Sequence, residues 1–88
     1  MAKVYTVVLT NKAKKNLEKI PVSLRKKINF IGYSLSVDPY LGKKLKGEYG
    51  EYRSIRVGTY RIIYRIDQEI VTIFIITIAH RQSVYKDL

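Results

Sequence analysis

The spacing of apolar residues changes along the chain from that of a strand to that of a helix and back again. Residues 3–9 alternate and are rich in valine, tyrosine and threonine, which predicts a strand. Thr10 and Asn11 follow as candidate N-caps, so we expect a short helix to begin there and to end near Lys19. Its apolar side would consist of Ala13, Leu17 and Ile20.

A second helix is predicted after Pro21, because proline suits the first turn of a helix. The dipeptide Asp38-Pro39 ends it, since proline disfavours helical backbone in the residue before it. Four apolar residues recur between them at helical spacing: Leu24, Ile28, Ile31 and Leu35. We expect this helix to bury one apolar face and to expose Arg25, Lys26 and Lys27.

The second half of the chain alternates again and predicts three strands joined by tight turns, over residues 51–57, 60–66 and 70–79. Residues 70–79 are apolar on both faces, which is typical of a central strand. Residues 41–50 suggest a loop or a weakly extended segment, and residues 80–88 fit a loop, a short strand or a short helix. The predicted order is β-α-α-β-β-β, a single α+β domain over residues 1–88 with an antiparallel sheet and both helices packed on one face.

Strand parity sorts the arginines and tyrosines of the second half onto two faces. Tyr60 and Tyr64 alternate with Arg61, so the tyrosines are expected in the core and Arg61 on the open face of the sheet. If Ile55 and Val57 pack under the helices, Arg56 between them faces the open side of the sheet, as Arg61 does. With residues that follow the last strand, this predicts a concave site formed by Arg56, Arg61, Arg81 and Tyr85.

Charge favours a polyanionic partner. The 88 residues include 17 basic and 7 acidic side chains, a net charge of +10, and such a domain attracts nucleic acid or an acidic protein. A membrane is the weaker alternative, since no segment combines a strong apolar face with aromatic anchors and a basic face. The chain has no cysteine, and no signal peptide or membrane span is evident, so we expect a cytoplasmic protein.

The candidate chemistry is phosphoryl transfer without a metal or other cofactor. Arginine binds phosphate bidentately and tyrosine can stack on bases. One histidine with the loosely placed Glu48 and Glu51 makes a poor metal site, and neither a P-loop nor a Ser-His-Asp pattern is present. Two bland alternatives stay open: the arginines are simply solvated, and His80 is a surface hydrogen-bonding residue rather than an acid–base group.

Two motifs in the second half resemble the RelE/ParE toxin superfamily, and most closely its RelE branch. The first is KLKG at residues 44–47 followed by YRSIRVGTYRIIY at residues 52–64. The second is HRQSVY at residues 80–85. The order of the predicted elements also agrees, so the resemblance covers nearly the whole chain.

RelE-like toxins cleave mRNA in the decoding site of the ribosome and are neutralised by a cognate antitoxin. The resemblance therefore implies a ribosome-dependent, metal-independent endoribonuclease in which the ribose 2′-hydroxyl attacks the phosphate. Its catalytic residues would be Arg56, Arg61, Arg81, Tyr85 and His80. Contacts to mRNA are expected from Lys43, Lys44, Lys46, Arg53 and Ser54, and Ser54 stands where many relatives have a second basic residue.

Each site residue has an expected role under this resemblance. Arg61 would clamp the scissile phosphate, and Arg56 would stabilise the attacking oxygen or the phosphorane. Arg81 or His80 would assist the leaving 5′-oxygen, and Tyr85 would stack on or orient the base. Two alternatives remain: ParE-like inhibition of DNA gyrase by protein binding without nuclease activity, and a module that only binds its antitoxin.

Overall fold

A computed structural model describes residues 3–80 of the chain. The predicted helices and strands are present. Two further elements, a short strand and a 3-10 helix, lie between the second helix and the next long strand. The elements are β1 (Thr6–Leu9), α1 (Asn11–Glu18), α2 (Val22–Val37), β2 (Lys43–Lys44), a 3-10 helix (Gly47–Tyr49), β3 (Tyr52–Val57), β4 (Tyr60–Asp67) and β5 (Thr72–His80).

The five strands form one sheet in the order β1-β5-β4-β3-β2. Strands β3, β4 and β5 are an antiparallel meander, as predicted. The prediction of an antiparallel sheet is wrong for β1, which pairs parallel with β5 from Thr6–Thr72 to Leu9–Ile75, so the sheet is mixed. A parallel pair requires a long crossover, and here the helices and the intervening strands supply it.

The core lies between the helices and one face of the sheet, as the α+β prediction required. Its buried residues from the helical region are Ala13, Ile20, Ile28 and Leu35, and those from the strands are Val57, Ile62, Tyr64, Ile73, Ile75 and Ile78. β5 occupies a central position between β1 and β4, which confirms the interpretation of its apolar sequence. No helix within residues 3–80 is long and apolar enough to cross a membrane.

Helix α1 continues the contacts of β1 beyond the end of that strand. The hydroxyl of Thr10 accepts a hydrogen bond from the backbone N–H of Ala13 at 3.2 Å, which confirms it as the N-cap. The same hydroxyl donates to the carbonyl of Ile76 at 2.8 Å. The side-chain oxygen of Asn16 accepts from the N–H of Ile78 at 3.1 Å and from the hydroxyl of Thr77 at 3.0 Å. The side chains of Thr10 and Asn16 thus form hydrogen bonds to backbone groups of β5 beyond the point at which β1 ends.

The last strand begins later than the sequence predicted. Ile70 is 59% exposed, and Val71 has a φ of +49°, so the turn after β4 extends through both residues. The carboxylate of Asp67 holds this turn by accepting from the backbone N–H groups of Glu69 and Ile70 at 3.1 and 3.4 Å. The alternation of apolar and polar residues does not show that Ile70, the first apolar residue of this run, belongs to the turn.

Candidate nucleic-acid interface

The register of β3 and β4 places Arg56 directly opposite Arg61. Cross-strand partners project from the same face of a sheet. Ile55 and Val57 pack with the core on the other face, so the expectation that both arginines share the open face is confirmed. Arg56 is exposed, whereas Arg61 is partly buried.

Arg61 lies in a cleft of about 430 Å³ between β4 and the segment around β2. We call it the basic cleft, and its described lining residues are Lys43, Lys44, Leu45, Lys46, Tyr49, Ser54 and Arg61. Four of these are cationic and none is acidic, so the cleft concentrates positive charge where a polyanion can approach. The three lysines that were expected to contact mRNA therefore belong to the same cleft as Arg61.

Tyr64 fixes the segment that carries these lysines. Its side chain is fully buried, and its hydroxyl donates to the carbonyl of Pro39 and accepts from the N–H of Gly42, both at 2.8 Å. Burial raises the pKa of the Tyr64 hydroxyl, while the Gly42 N–H opposes that rise. The predicted core position of Tyr64 is confirmed, and Tyr64 also anchors the chain immediately before the basic cleft.

Arg53 has a structural contact rather than a place in the basic cleft. Its guanidinium donates to the carbonyl of Gly42 at 2.8 Å and lies 5.0 Å from the centre of the Tyr40 ring. Its cross-strand partner is Tyr64, on the core side of the sheet. The structure therefore does not bring this predicted RNA-binding residue together with Arg61, because strand parity puts its side chain on the other face from Arg56.

Ser54 lines the basic cleft and is 8% exposed. It pairs with Lys43 on β2 and with Ile63 on β4. The position where many relatives were expected to have a basic residue thus adjoins the cleft that holds Arg61, and a serine there leaves room without adding charge.

His80 ends β5 on the side of the sheet that Tyr60 occupies. The two residues are cross-strand partners, and their ring centres lie 4.6 Å apart at an interplanar angle of 33°. Arg61 is opposite Ala79, one position away, so the imidazole and the Arg61 side chain leave the strands toward different faces. Arg81 and Tyr85 lie outside the described residues.

A second concave surface adjoins Arg56 and was missed by sequence analysis. Arg56 lines it together with Lys26, Lys27, Phe30, Ile31, Val57 and Gly58. The sequence indicates these lysines only as the outer face of the second helix, because nothing in their spacing reports which strand end lies beside them. Leu45 and Tyr49 of the basic cleft were missed as well, since the segment that holds them has no clear periodicity.

The open face also carries an arginine that is separate from both clefts. The guanidinium of Arg65 lies 4.8 Å from the centre of the Phe74 ring and 3.9 Å from the carboxylate of Asp67. Among residues 3–80, no three histidine, aspartate or glutamate side chains come together as a potential metal site.

Comparison with known proteins identifies the class. A sequence profile described as "ParE toxin of type II toxin-antitoxin system, parDE" matches residues 7–85. Toxin RelG of Mycobacterium tuberculosis is 39% identical over 93% of this chain and 97% of its own length. Toxin RelE of the same organism is 32% identical over 93% of this chain and 87% of its own.

Solved structures agree. The toxin–antitoxin complex RelBE2 from Mycobacterium tuberculosis contains a chain that is 38% identical, with a TM-score of 0.82 over 89% of this chain and 99% of that one. The isolated E. coli RelE toxin has a TM-score of 0.78 at 23% identity over 94% of this chain and 93% of its own, a likeness that concerns the fold alone. The chain belongs to the RelE/ParE superfamily of type II toxin–antitoxin toxins, and its relatives include proteins of the RelE branch.

Proposed function

We propose that this toxin is a ribosome-dependent endoribonuclease that cleaves mRNA in the decoding site. The observation that carries the proposal is the basic cleft, in which a partly buried arginine, Arg61, lies among Lys43, Lys44 and Lys46. Charge of this density is suited to an RNA backbone, and a partly buried guanidinium binds phosphate with less competition from water.

The proposed reaction is an internal transfer. The ribose 2′-oxygen forms a bond to the adjacent phosphorus, and the bond from phosphorus to the 5′-oxygen of the next nucleotide breaks. The products are a 2′,3′-cyclic phosphate and a free 5′-hydroxyl, with the 2′-hydroxyl proton passing to solvent and the 5′-oxygen gaining one. Arg61 holds the phosphate, and its cross-strand partner Arg56 offsets the negative charge that grows on the 2′-oxygen and the phosphorane.

The remaining assigned residues act around the leaving group. Arg81 or His80 assists the departing 5′-oxygen, and Tyr85 stacks on or orients the base at the cut. His80 is the weaker of the two candidates for the leaving group, because its imidazole packs against Tyr60 and leaves β5 toward the face opposite to Arg61. The ring of Tyr60 beside the imidazole restricts its orientation.

Primer extension on a reporter mRNA in a translating extract tests the proposal. We expect new 5′ ends inside codons of the reading frame only when ribosomes are translating it. A matched reaction in which initiation is blocked should show intact mRNA. Intact mRNA in both reactions, together with inhibition of purified DNA gyrase, would establish the ParE-like alternative instead.

We also propose a cognate antitoxin with an acidic, partly helical neutralising segment as the protein partner. The solved structures of relatives include the toxin–antitoxin complex RelBE2 from Mycobacterium tuberculosis. A groove of about 510 Å³ runs between β1 and α2 on this chain, bordered by the exposed apolar side chains of Val4 and Tyr33. An amphipathic segment can cover such a groove while its acidic residues meet the basic surface.

Co-purification with the product of the neighbouring gene tests this partner. Tyr33→Asp should weaken the complex, because it places a charge in the apolar groove, and should leave mRNA cleavage by the free toxin unchanged. Undiminished binding to Tyr33→Asp would remove the groove from the interface.

A further inference from the structure

The edge of β3 is covered by β2 only at Arg53 and Ser54. Further along β3, no strand in the described part of the chain pairs with Arg56 or Val57 on that side. The surface here opens onto the first half of α2 and forms a cleft of about 470 Å³. We call it the edge cleft, lined by Lys26, Lys27, Phe30, Ile31, Arg56, Val57 and Gly58.

The edge cleft combines cations with an exposed aromatic ring. Lys26, Lys27 and Arg56 contribute three positive charges from two different elements, and the described lining residues include no carboxylate. Phe30 is 67% exposed, a large apolar ring left uncovered on the surface of a helix. Single-stranded nucleic acids bind to surfaces of this composition, since phosphates contact the cations and any base can stack on an aromatic face.

One pair of cross-strand residues links the lining of the edge cleft to that of the basic cleft. Arg56 lines the edge cleft, Arg61 lines the basic cleft, and the two are direct cross-strand partners. Directly opposed residues in an antiparallel pair have Cα atoms only about 5 Å apart. A single strand that leaves the basic cleft and crosses the edge of β3 would therefore pass from cation to cation. An acidic peptide would meet the same charges but carries no nucleobase to stack on Phe30.

We propose that the edge cleft is an additional RNA subsite, which holds the phosphate and stacks the base of a nucleotide next to those bound in the basic cleft. Lys26 and Lys27 bind the phosphate, and Phe30 stacks on the base without selecting its identity. The inference rests on the proposed function for the identity of the strand, but it concerns binding and is measured without the ribosome or cleavage.

Fluorescence anisotropy with a labelled single-stranded RNA, made uncleavable by 2′-O-methyl sugars, provides the test. The double variant Lys26→Gln/Lys27→Gln should weaken binding and reduce the slope of log affinity against log salt by about 0.7 for each phosphate that the variant no longer neutralises. The matched control is Lys14→Gln/Lys15→Gln, which removes the same charge from exposed positions on α1. This control variant should retain most of the slope of log affinity against log salt. Phe30→Ala should weaken binding roughly 5- to 150-fold, since one stacked base contributes about 1–3 kcal/mol.

The length of the RNA adds a second readout. Shortening the oligonucleotide until it fills only the basic cleft should abolish the difference between Phe30→Ala and the unsubstituted protein. Equal affinity and equal salt slope for the two double variants would overturn the subsite. So would unchanged RNA binding by Lys26→Gln/Lys27→Gln combined with weaker binding of poly-glutamate, which would assign the cleft to an acidic protein. If the toxin cleaves no mRNA yet shows these RNA-binding changes, the subsite stands and only the proposed activity fails.

Discussion

Tyr64 and Gly42 fit each other so closely that neither position accepts an ordinary substitution. The phenolic hydroxyl accepts the Gly42 N–H at 2.8 Å, and a Cβ atom added to Gly42 would lie 2.6 Å from that oxygen. Real Cβ atoms do not approach so near, and the neighbouring carbonyl of Ser54 would be only 2.8 Å away. The contact ties the centre of β4 to the chain that leads into β2, and so sets where the lysines of the basic cleft begin.

Removing the hydroxyl should destabilise the protein measurably. Tyr64→Phe leaves the carbonyl of Pro39 and the N–H of Gly42 buried without their partner, and each unsatisfied group costs about 1–3 kcal/mol. We expect the urea midpoint to fall while the dependence of the free energy of unfolding on urea stays the same.

Tyr33→Phe is the matched control, since the Tyr33 side chain is 69% exposed, and it should change the free energy of unfolding by less than about 0.5 kcal/mol. Gly42→Ala should destabilise for the steric reason given above. Equal stability of Tyr64→Phe and Tyr33→Phe would contradict the anchoring role.

The same hydroxyl predicts how stability depends on alkaline pH. Burial raises the pKa of Tyr64 above its ordinary value of about 10, so the unfolded chain loses this proton at lower pH than the folded protein. Its contribution is therefore complete below about pH 10 and is lost as the pH rises through the folded pKa. Tyr52 acts in the same direction, because its hydrogen bond to Glu51 raises its pKa.

Urea unfolding at a series of pH values above 9 measures this effect. We expect the free energy of unfolding of the unsubstituted protein to fall with rising pH, and that of Tyr64→Phe to fall less steeply. Identical slopes for the two proteins would show that ionisation of Tyr64 is not linked to folding.

Arg61 is the residue whose removal should affect cleavage most. Arg61→Ala deletes the proposed phosphate clamp, and loss of one group that stabilises transition-state charge typically costs about 10²–10³ in rate. Arg61→Lys keeps the charge but not the bidentate geometry, so it should restore only part of the activity. Primer extension at several times in a translating extract gives the relative rates.

Arg65→Ala is the control for the loss of one positive charge from β4. This arginine also lies on β4, but its guanidinium is held between Phe74 and Asp67, outside the basic cleft. It should change the cleavage rate far less than Arg61→Ala, and circular dichroism should show both variants folded. Equal loss of activity in the two variants would indicate that net charge, rather than a clamp, explains the dependence.

Local sequence patterns predicted those parts of the fold that depend on contacts between residues close together in the chain. The cap at Thr10 depends on a hydroxyl and an N–H three residues apart, and strand parity alone put Arg56 and Arg61 on one face. The direction of β1 could not be predicted in this way. Its partner β5 lies at the far end of the chain, and an alternating strand carries no signal for parallel or antiparallel pairing.

The candidate site was likewise predicted only in part from the sequence. The sequence identified the cationic residues, but not that Lys43 and Lys44 form a strand against Ser54 and Arg53, which closes one side of the basic cleft. That pairing depends on distant contacts to Gly42 from β3 and β4, and no periodicity in residues 41–50 reports them. The edge cleft was missed for a similar reason, because it forms only where α2 approaches the uncovered end of β3.

Ser54 offers a gain-of-charge test of the basic cleft. Ser54→Lys should place a further cation beside Arg61, strengthen binding of single-stranded RNA, and steepen the salt slope by about 0.7 if the new lysine neutralises one more phosphate. Because Ser54 pairs with Lys43, like charges would then face each other across β2 and β3, which should lower the free energy of unfolding. Asn11→Lys adds the same charge at an exposed position on α1 and should change the RNA affinity little. If both variants strengthen RNA binding equally, the effect comes from net charge and the basic cleft is not where the RNA lies.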